Sequence, residues 1–77
     1  MSQHDQSTQT DNVYFNLVSV LYHALDGAKA SSTYLQDAQQ SGDQQLVQFF
    51  QEAQQEYVRR ADQAKQLLAR VAQGGSH

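Results

Sequence analysis

The stretch Gln39-Gln40-Ser41-Gly42-Asp43 separates two long helical patterns and decides the fold. Gly42 can adopt the left-handed backbone conformation that ends a helix, and Ser41 or Asp43 can cap the helix that follows. Because the connection is so short, helices of matched length on either side of it must lie antiparallel. We therefore predict an all-α protein, a two-helix antiparallel hairpin with its turn at residues 41–43.

On both sides of the turn, apolar or small residues recur at alternating steps of three and four, the pattern of helices that pack along a seam. The first helix is predicted over about 11–40, with a cap near Asp11, and its seam residues are Tyr14, Leu17, Leu21, Ala24, Ala28, Ser31, Leu35 and Ala38. The second helix is predicted over about 44–73, with seam residues Leu46, Phe50, Ala53, Tyr57, Arg60, Ala64, Leu67 and Val71. Residues 1–10 are polar after Met1 and are predicted to be a disordered tail, and 74–77 a frayed C-terminus, which leaves 11–73 as the single domain.

Composition narrows the classes of function. The 77 residues include no Pro and no Cys, and the net charge of −3 leaves only five Lys and Arg side chains. Without a basic stripe, nucleic-acid binding is not expected. The longest apolar stretch, residues 13–25, falls short of the roughly 20 residues of a membrane span. The N-terminal residues do not show the signal-peptide pattern, so we expect a cytoplasmic protein that does not enter the membrane.

A hairpin of two helices buries one seam, yet this sequence carries further large apolar residues outside it. Each large apolar side chain left in water forfeits about 1.5 to 3 kcal/mol. A homodimer that closes a four-helix bundle would cover them, and docking on a different, larger protein is the alternative. The predicted dimer interface comprises Val13, Leu17, Val18, Val20, Leu21, Leu25, Phe49 and Leu68.

The hairpin also predicts which residues face each other, since paired positions have numbers that add to about 84. Tyr57 is expected opposite the small residues Gly27, Ala28 and Ser31, where its truncation to Ala would cost about 3 to 5 kcal/mol. Arg60 lies in the seam row of the second helix and is expected to point partly inward.

Five segments resemble a bacterial group of ferritin-like helical hairpins, each one half of a rubrerythrin-type four-helix bundle. The segments are YHALDGA (22–28), YLQDA (34–38), GD (42–43), LVQFF (46–50) and RRADQAKQLL (59–68). The resemblance implies a four-helix bundle. In active members of the family it also implies two metal ions, held by a Glu on one helix and a Glu-x-x-His on the next.

The ligands that the family uses are not in place in this sequence. Lys29 lies near the expected first carboxylate, and Gln55 and Arg59 occupy the positions of the expected histidines. The candidate metal ligands are therefore limited to His23, Asp26, Glu52 and Glu56. We expect no metal and no cofactor, with an iron or manganese carboxylate bundle assembled from two chains as the alternative.

No Ser/His/Asp arrangement, Cys nucleophile or Gly-rich phosphate loop is evident, so we do not expect an enzyme. The preferred hypothesis is a non-catalytic structural or interaction module. Any protein partner other than a second copy is unknown from the sequence.

Overall fold

A computed structural model describes residues 6–75, and the side chains of residues 12–72. It contains two α-helices, α1 over Gln6–Ser41 and α2 over Gln44–Gly75. They lie side by side in a flat molecule with principal extents of 53 × 27 × 14 Å. The predicted all-α antiparallel hairpin is confirmed.

The helix boundaries differ from the prediction mainly at the start of α1, which begins at Gln6 rather than near Asp11. No Gly or Pro interrupts residues 6–10, and extending a formed helix adds one hydrogen bond for each residue fixed. The polar residues there therefore join the helix instead of forming a tail. At the other end α2 runs to Gly75 rather than to residue 73. The rest of the predicted tail, residues 1–5, and residues 76–77 lie outside the described residues.

The turn has the predicted chemistry. Gly42 adopts a positive φ of 78°. The Ser41 hydroxyl donates to the Ala38 carbonyl oxygen at 2.6 Å and accepts from the Asp43 amide at 3.2 Å. Asp43 Oδ1 accepts from the amides of Gln45 and Leu46 at 3.0 and 3.3 Å. Asp43 is therefore the N-cap of α2, and these bonds satisfy groups that the helix ends leave unpaired.

Contacts across the hairpin confirm its register. The Tyr57 ring lies against Gly27, and the Tyr34 and Phe50 ring centroids are 5.9 Å apart. Gln54 Nε2 donates to the Ala28 carbonyl oxygen at 3.0 Å and to Ser32 Oγ at 2.8 Å. The numbers of these paired residues add to values close to 84, as predicted.

Small residues form the core. The buried residues are Ala24, Ser31, Ala38, Ala61 and Ala64. Such a seam lets two helices approach closely, and long side chains then lie beside it instead of within it. Among the described helices, none is long and apolar enough to cross a membrane.

The prediction that Arg60 points partly inward is wrong. Its side chain is exposed, and Nη1 donates to Gln63 Oε1 at 3.0 Å. The neighbouring residue, Ala61, is 2% exposed and occupies the place in the seam that was predicted for Arg60. A seam lined by alanine has no room for a guanidinium, which would also lose its hydration there.

Candidate interaction surface

Thirteen large apolar side chains of the described residues are exposed to solvent. The residues concerned are 40% to 66% exposed: Val13, Tyr14, Phe15, Val18, Val20, Tyr22, Leu25, Tyr34, Leu46, Phe49, Tyr57, Val58 and Leu67. Within the described part of the chain, the only buried apolar residues are four alanines. The arrangement is the reverse of a monomeric globular protein, in which the large apolar residues are the ones most often buried.

The accessible surface is large for the mass. The chain exposes 5897 Å², whereas a compact monomer of 8.6 kDa exposes about 4700 Å². Two chains joined into an equally compact unit would lose a total of about 4000 Å². An elongated bundle retains more surface than a compact protein, so this area is an upper bound. It lies within the range of about 2000 to 5000 Å² buried by obligate homodimers.

The exposed apolar residues of α1 divide between two sides of the flat hairpin. Val13, Val20 and Tyr34 recur with a spacing of seven or fourteen and so share one side of the helix. Val18 follows Val13 by five positions, and Leu25 follows Val20 by five, which places each pair about 140° apart around the axis. The two sets therefore point to opposite sides of the molecule.

Contacts with α2 show which of its residues lie on the first side. Gly27, on the row of Val20 and Tyr34, meets the Tyr57 ring, and Val20 lines one groove with Leu67. We call this side the broad face, because it extends over both helices and the whole length of the hairpin. Its exposed apolar residues are Val13, Val20, Tyr34, Leu46, Phe49, Tyr57 and Leu67.

The opposite side carries a smaller apolar patch, which we call the narrow face. It comprises Phe15, Val18, Tyr22, Leu25 and Val58. Four of these residues come from α1, between residues 15 and 25. The narrow face therefore covers only part of the hairpin's length.

The predicted interface residues are distributed among the broad face, the narrow face and the seam. Val13, Val20 and Phe49 belong to the broad face, and Leu17 lines the groove beside Val20. Val18 and Leu25 belong to the narrow face. Leu21 and Leu68 are half-buried on the seam side. These residues therefore do not form one continuous surface.

Sequence reasoning placed three residues of the broad face in the seam instead. The side chains of Leu46, Tyr57 and Leu67 are 40% to 43% exposed. The neighbouring residues Val47 and Leu68 are half-buried. The row of Leu46 and Leu67 and the row of Val47 and Leu68 both repeat apolar residues at helical spacing. Periodicity alone therefore did not show which of the two rows faces α1. The run of small residues in α1, which forces close approach, was the available signal.

The candidate metal ligands do not converge. His23, Asp26, Glu52 and Glu56 are all exposed. The His23 ring packs edge-on against Tyr22 with centroids 5.5 Å apart, and Glu52 accepts a hydrogen bond from Gln48 at 3.3 Å. Over the part of the chain that the structure describes, no three His, Cys, Asp or Glu side chains are grouped to hold a metal ion.

Comparison with family models, with curated proteins and with solved structures found no match to this chain. The likeness to ferritin-like hairpins remains a prediction from the sequence.

Proposed function

We propose that this protein is a non-catalytic structural or interaction module, which forms a homodimeric four-helix bundle through its broad face. The observation that carries the proposal is the exposure of large apolar side chains along both helices of that face, above a seam of alanines. Alanine burial removes little apolar surface from water, so a lone hairpin gains little from its core. Covering the broad face supplies the missing apolar burial.

A second copy is the occupant we propose, because exposed apolar residues recur along the full length of the broad face and match a partner of the same length. Two flat hairpins packed face to face give four helices around one core, with every neighbouring pair antiparallel in a two-fold arrangement. The predicted likeness to one half of a ferritin-like bundle supports the same architecture.

The test compares two leucines on opposite faces. The wild-type chain should have about twice the mass of 8.6 kDa by light scattering at micromolar concentration. Leu67→Asp places an unpaired charge in the proposed interface and should give monomers or loss of helicity. Leu25→Asp makes the same change on the narrow face and should leave the dimer intact.

Three results would overturn the proposal. A stable wild-type monomer would show that the broad face does not bind a second copy of the chain. A dimer that tolerates Leu67→Asp and is lost on Leu25→Asp would move the interface to the narrow face. A stoichiometric iron or manganese content that Glu56→Ala abolishes would replace the non-catalytic module with a metal-binding bundle.

A further inference from the structure

A row of residues on the broad face of α2 is self-complementary. Positions 46, 49, 53, 56, 60, 63, 67 and 70 alternate in steps of three and four and so share one side of the helix. In chain order the residues are Leu46, Phe49, Ala53, Glu56, Arg60, Gln63, Leu67 and Arg70. All are exposed except Ala53, which is half-buried.

Two of the pairs in this row, Glu56 with Arg60 and Phe49 with Leu67, are complementary when the row is reversed about a centre between Glu56 and Arg60. On an antiparallel copy of the row, Glu56 faces Arg60 and Phe49 faces Leu67, and each of these contacts occurs twice. Opposite charges therefore meet at the centre, and Phe49 meets Leu67 on either side. Ala53 faces Gln63, and at the ends of the row Leu46 faces Arg70, whose aliphatic stem can lie against it. A parallel copy would instead place Glu56 against Glu56 and Arg60 against Arg60, which is repulsive.

We propose that α2 packs antiparallel against α2 of a second copy, around a two-fold axis that passes beside residues 56–60. The proposal rests on the homodimer proposed above and specifies its arrangement. The turns at Gly42 then lie at opposite ends of the four-helix bundle. Each interface contains two Glu56–Arg60 pairs near its middle, flanked by apolar contacts.

The groove geometry supports this assignment. Glu56, Arg60, Gln63 and Ala53 line one open groove on α2 together with Tyr57. Arg60 and Gln63 also line the adjoining groove that contains Leu67, so the two grooves are continuous. The Arg60 guanidinium donates to Gln63 along the same row, which keeps its charge over the groove.

An antiparallel register of α1 lies close to the same axis. The hairpin register sets residue 58 of α2 beside residue 26 of α1. The nearest register that keeps the row of Val20 and Gly27 in contact is centred on residue 25, one position from that level. It places Val20 opposite Ala30 and His23 opposite Gly27. Larger side chains therefore meet small ones, as close helix packing requires.

The other two-fold arrangement, with both turns at one end, places α2 against α1 of the copy. The register then brings residues 56 and 60 level with residues 28 and 24 of the copy. The broad-face row of α1 around that level carries His23, Gly27 and Ala30 and no carboxylate for Arg60. Asp26 precedes Gly27 by one position and so lies about 100° from it around the axis, off that row. Charge complementarity therefore favours α2 against α2.

Charge reversal tests the arrangement directly. Glu56→Arg and Arg60→Glu should each weaken the homodimer by about tenfold or more, because each puts like charges in contact twice. An equimolar mixture of the two variants should form a heterodimer with a Kd close to that of the wild-type dimer. In each variant chain residues 56 and 60 still repel each other along the helix, so pairing within a chain cannot cause this recovery.

Lys65→Glu and Asp62→Arg are the matched controls, because both residues are exposed and lie outside the row and its grooves. The same charge changes there should leave the dimer affinity unchanged. A wild-type dimer whose variants show no recovery on mixing would overturn the α2 arrangement and leave the homodimer standing. A wild-type monomer would instead overturn the homodimer itself.

A distance measurement gives a second readout. The chain has no Cys, so a spin label on Gln40→Cys reports one site in each copy. With turns at opposite ends the two labels should be about 45 Å apart, at 1.5 Å per residue. A separation of about 10 to 20 Å, the spacing of neighbouring helices plus two labels, would place the turns at one end and overturn the proposal.

Discussion

Gly27 and Tyr57 lie in close contact across the hairpin. A Cβ atom on Gly27 would lie 2.7 to 2.9 Å from three atoms of the Tyr57 ring. The ring itself is 42% exposed, so it lies across the seam and is not enclosed by it. The loss of about 3 to 5 kcal/mol predicted for Tyr57→Ala from enclosed aromatic side chains is therefore too large for a lone hairpin.

The sign of a Gly27→Ala substitution should depend on Tyr57. In the wild-type background the added methyl group displaces the ring, and we expect a net loss of about 1 kcal/mol in the free energy of unfolding. In a Tyr57→Ala background the clash is absent, and the better helix propensity of Ala should give a gain of about 1 kcal/mol. Urea unfolding of the four chains measures both effects, and the same sign in both backgrounds would contradict the contact.

Ser31 is the one buried polar side chain among the described residues. It is 1% exposed, and its hydroxyl oxygen has no hydrogen-bond partner. Burial without a partner costs free energy, and Ala fills nearly the same space. We expect Ser31→Ala to raise the free energy of unfolding by about 1 kcal/mol.

Ser32 provides the control for this prediction. Its hydroxyl accepts a hydrogen bond from Gln54 across the hairpin, so Ser32→Ala should give no comparable gain. Thermal unfolding of both variants makes the comparison. A Ser31→Ala variant that is less stable than the wild type would show that the hydroxyl has a favourable partner.

The turn joins α1 to α2 through two residues with different tasks. Gly42 supplies the positive φ, and an added Cβ there would meet no atom within 4 Å. Any cost of Gly42→Ala therefore comes from the backbone conformation alone. Asp43 supplies the cap, through two backbone amides at the start of α2.

We expect Gly42→Ala to lower the free energy of unfolding by about 1 to 2 kcal/mol, the cost of a left-handed conformation for a residue with a Cβ. Asp43→Ala should cost about 1 kcal/mol through the lost cap. Gln44→Ala, at the next exposed position, should have little effect. Denaturation followed by helicity tests all three, and a neutral Gly42→Ala would mean that the turn adopts another conformation.

The exposed apolar side chains of the whole hairpin would link its stability to dimerisation if a second copy covers them. If folding and dimerisation are coupled, the midpoint of thermal unfolding should rise with protein concentration. We expect a clear upward shift between 1 and 100 μM, and none for Leu67→Asp if that chain folds at all. A midpoint that is independent of concentration in the wild type would indicate a monomer that is stable by itself.

The hairpin, its turn and its register were predictable from the sequence. Gly42 with Asp43 is a local signal, and the equal lengths of two periodic segments determine which residues pair across the seam. Tyr57 was correctly placed against Gly27 for this reason. The start of α1 at Gln6 was less evident. The sequence has no Gly or Pro in residues 6–10, which permits a helix, but the polar composition there suggested a tail.

The tertiary structure alone decided which row of α2 enters the seam and which forms the broad face. The rows of Arg60 with Leu67 and of Ala61 with Leu68 differ by one position, or about 100° around the axis, and both repeat at helical spacing. The choice depends on how closely the two helices approach. That distance is set jointly by the small residues of both helices and by the absent side chain of Gly27, so neither helix determines it by itself.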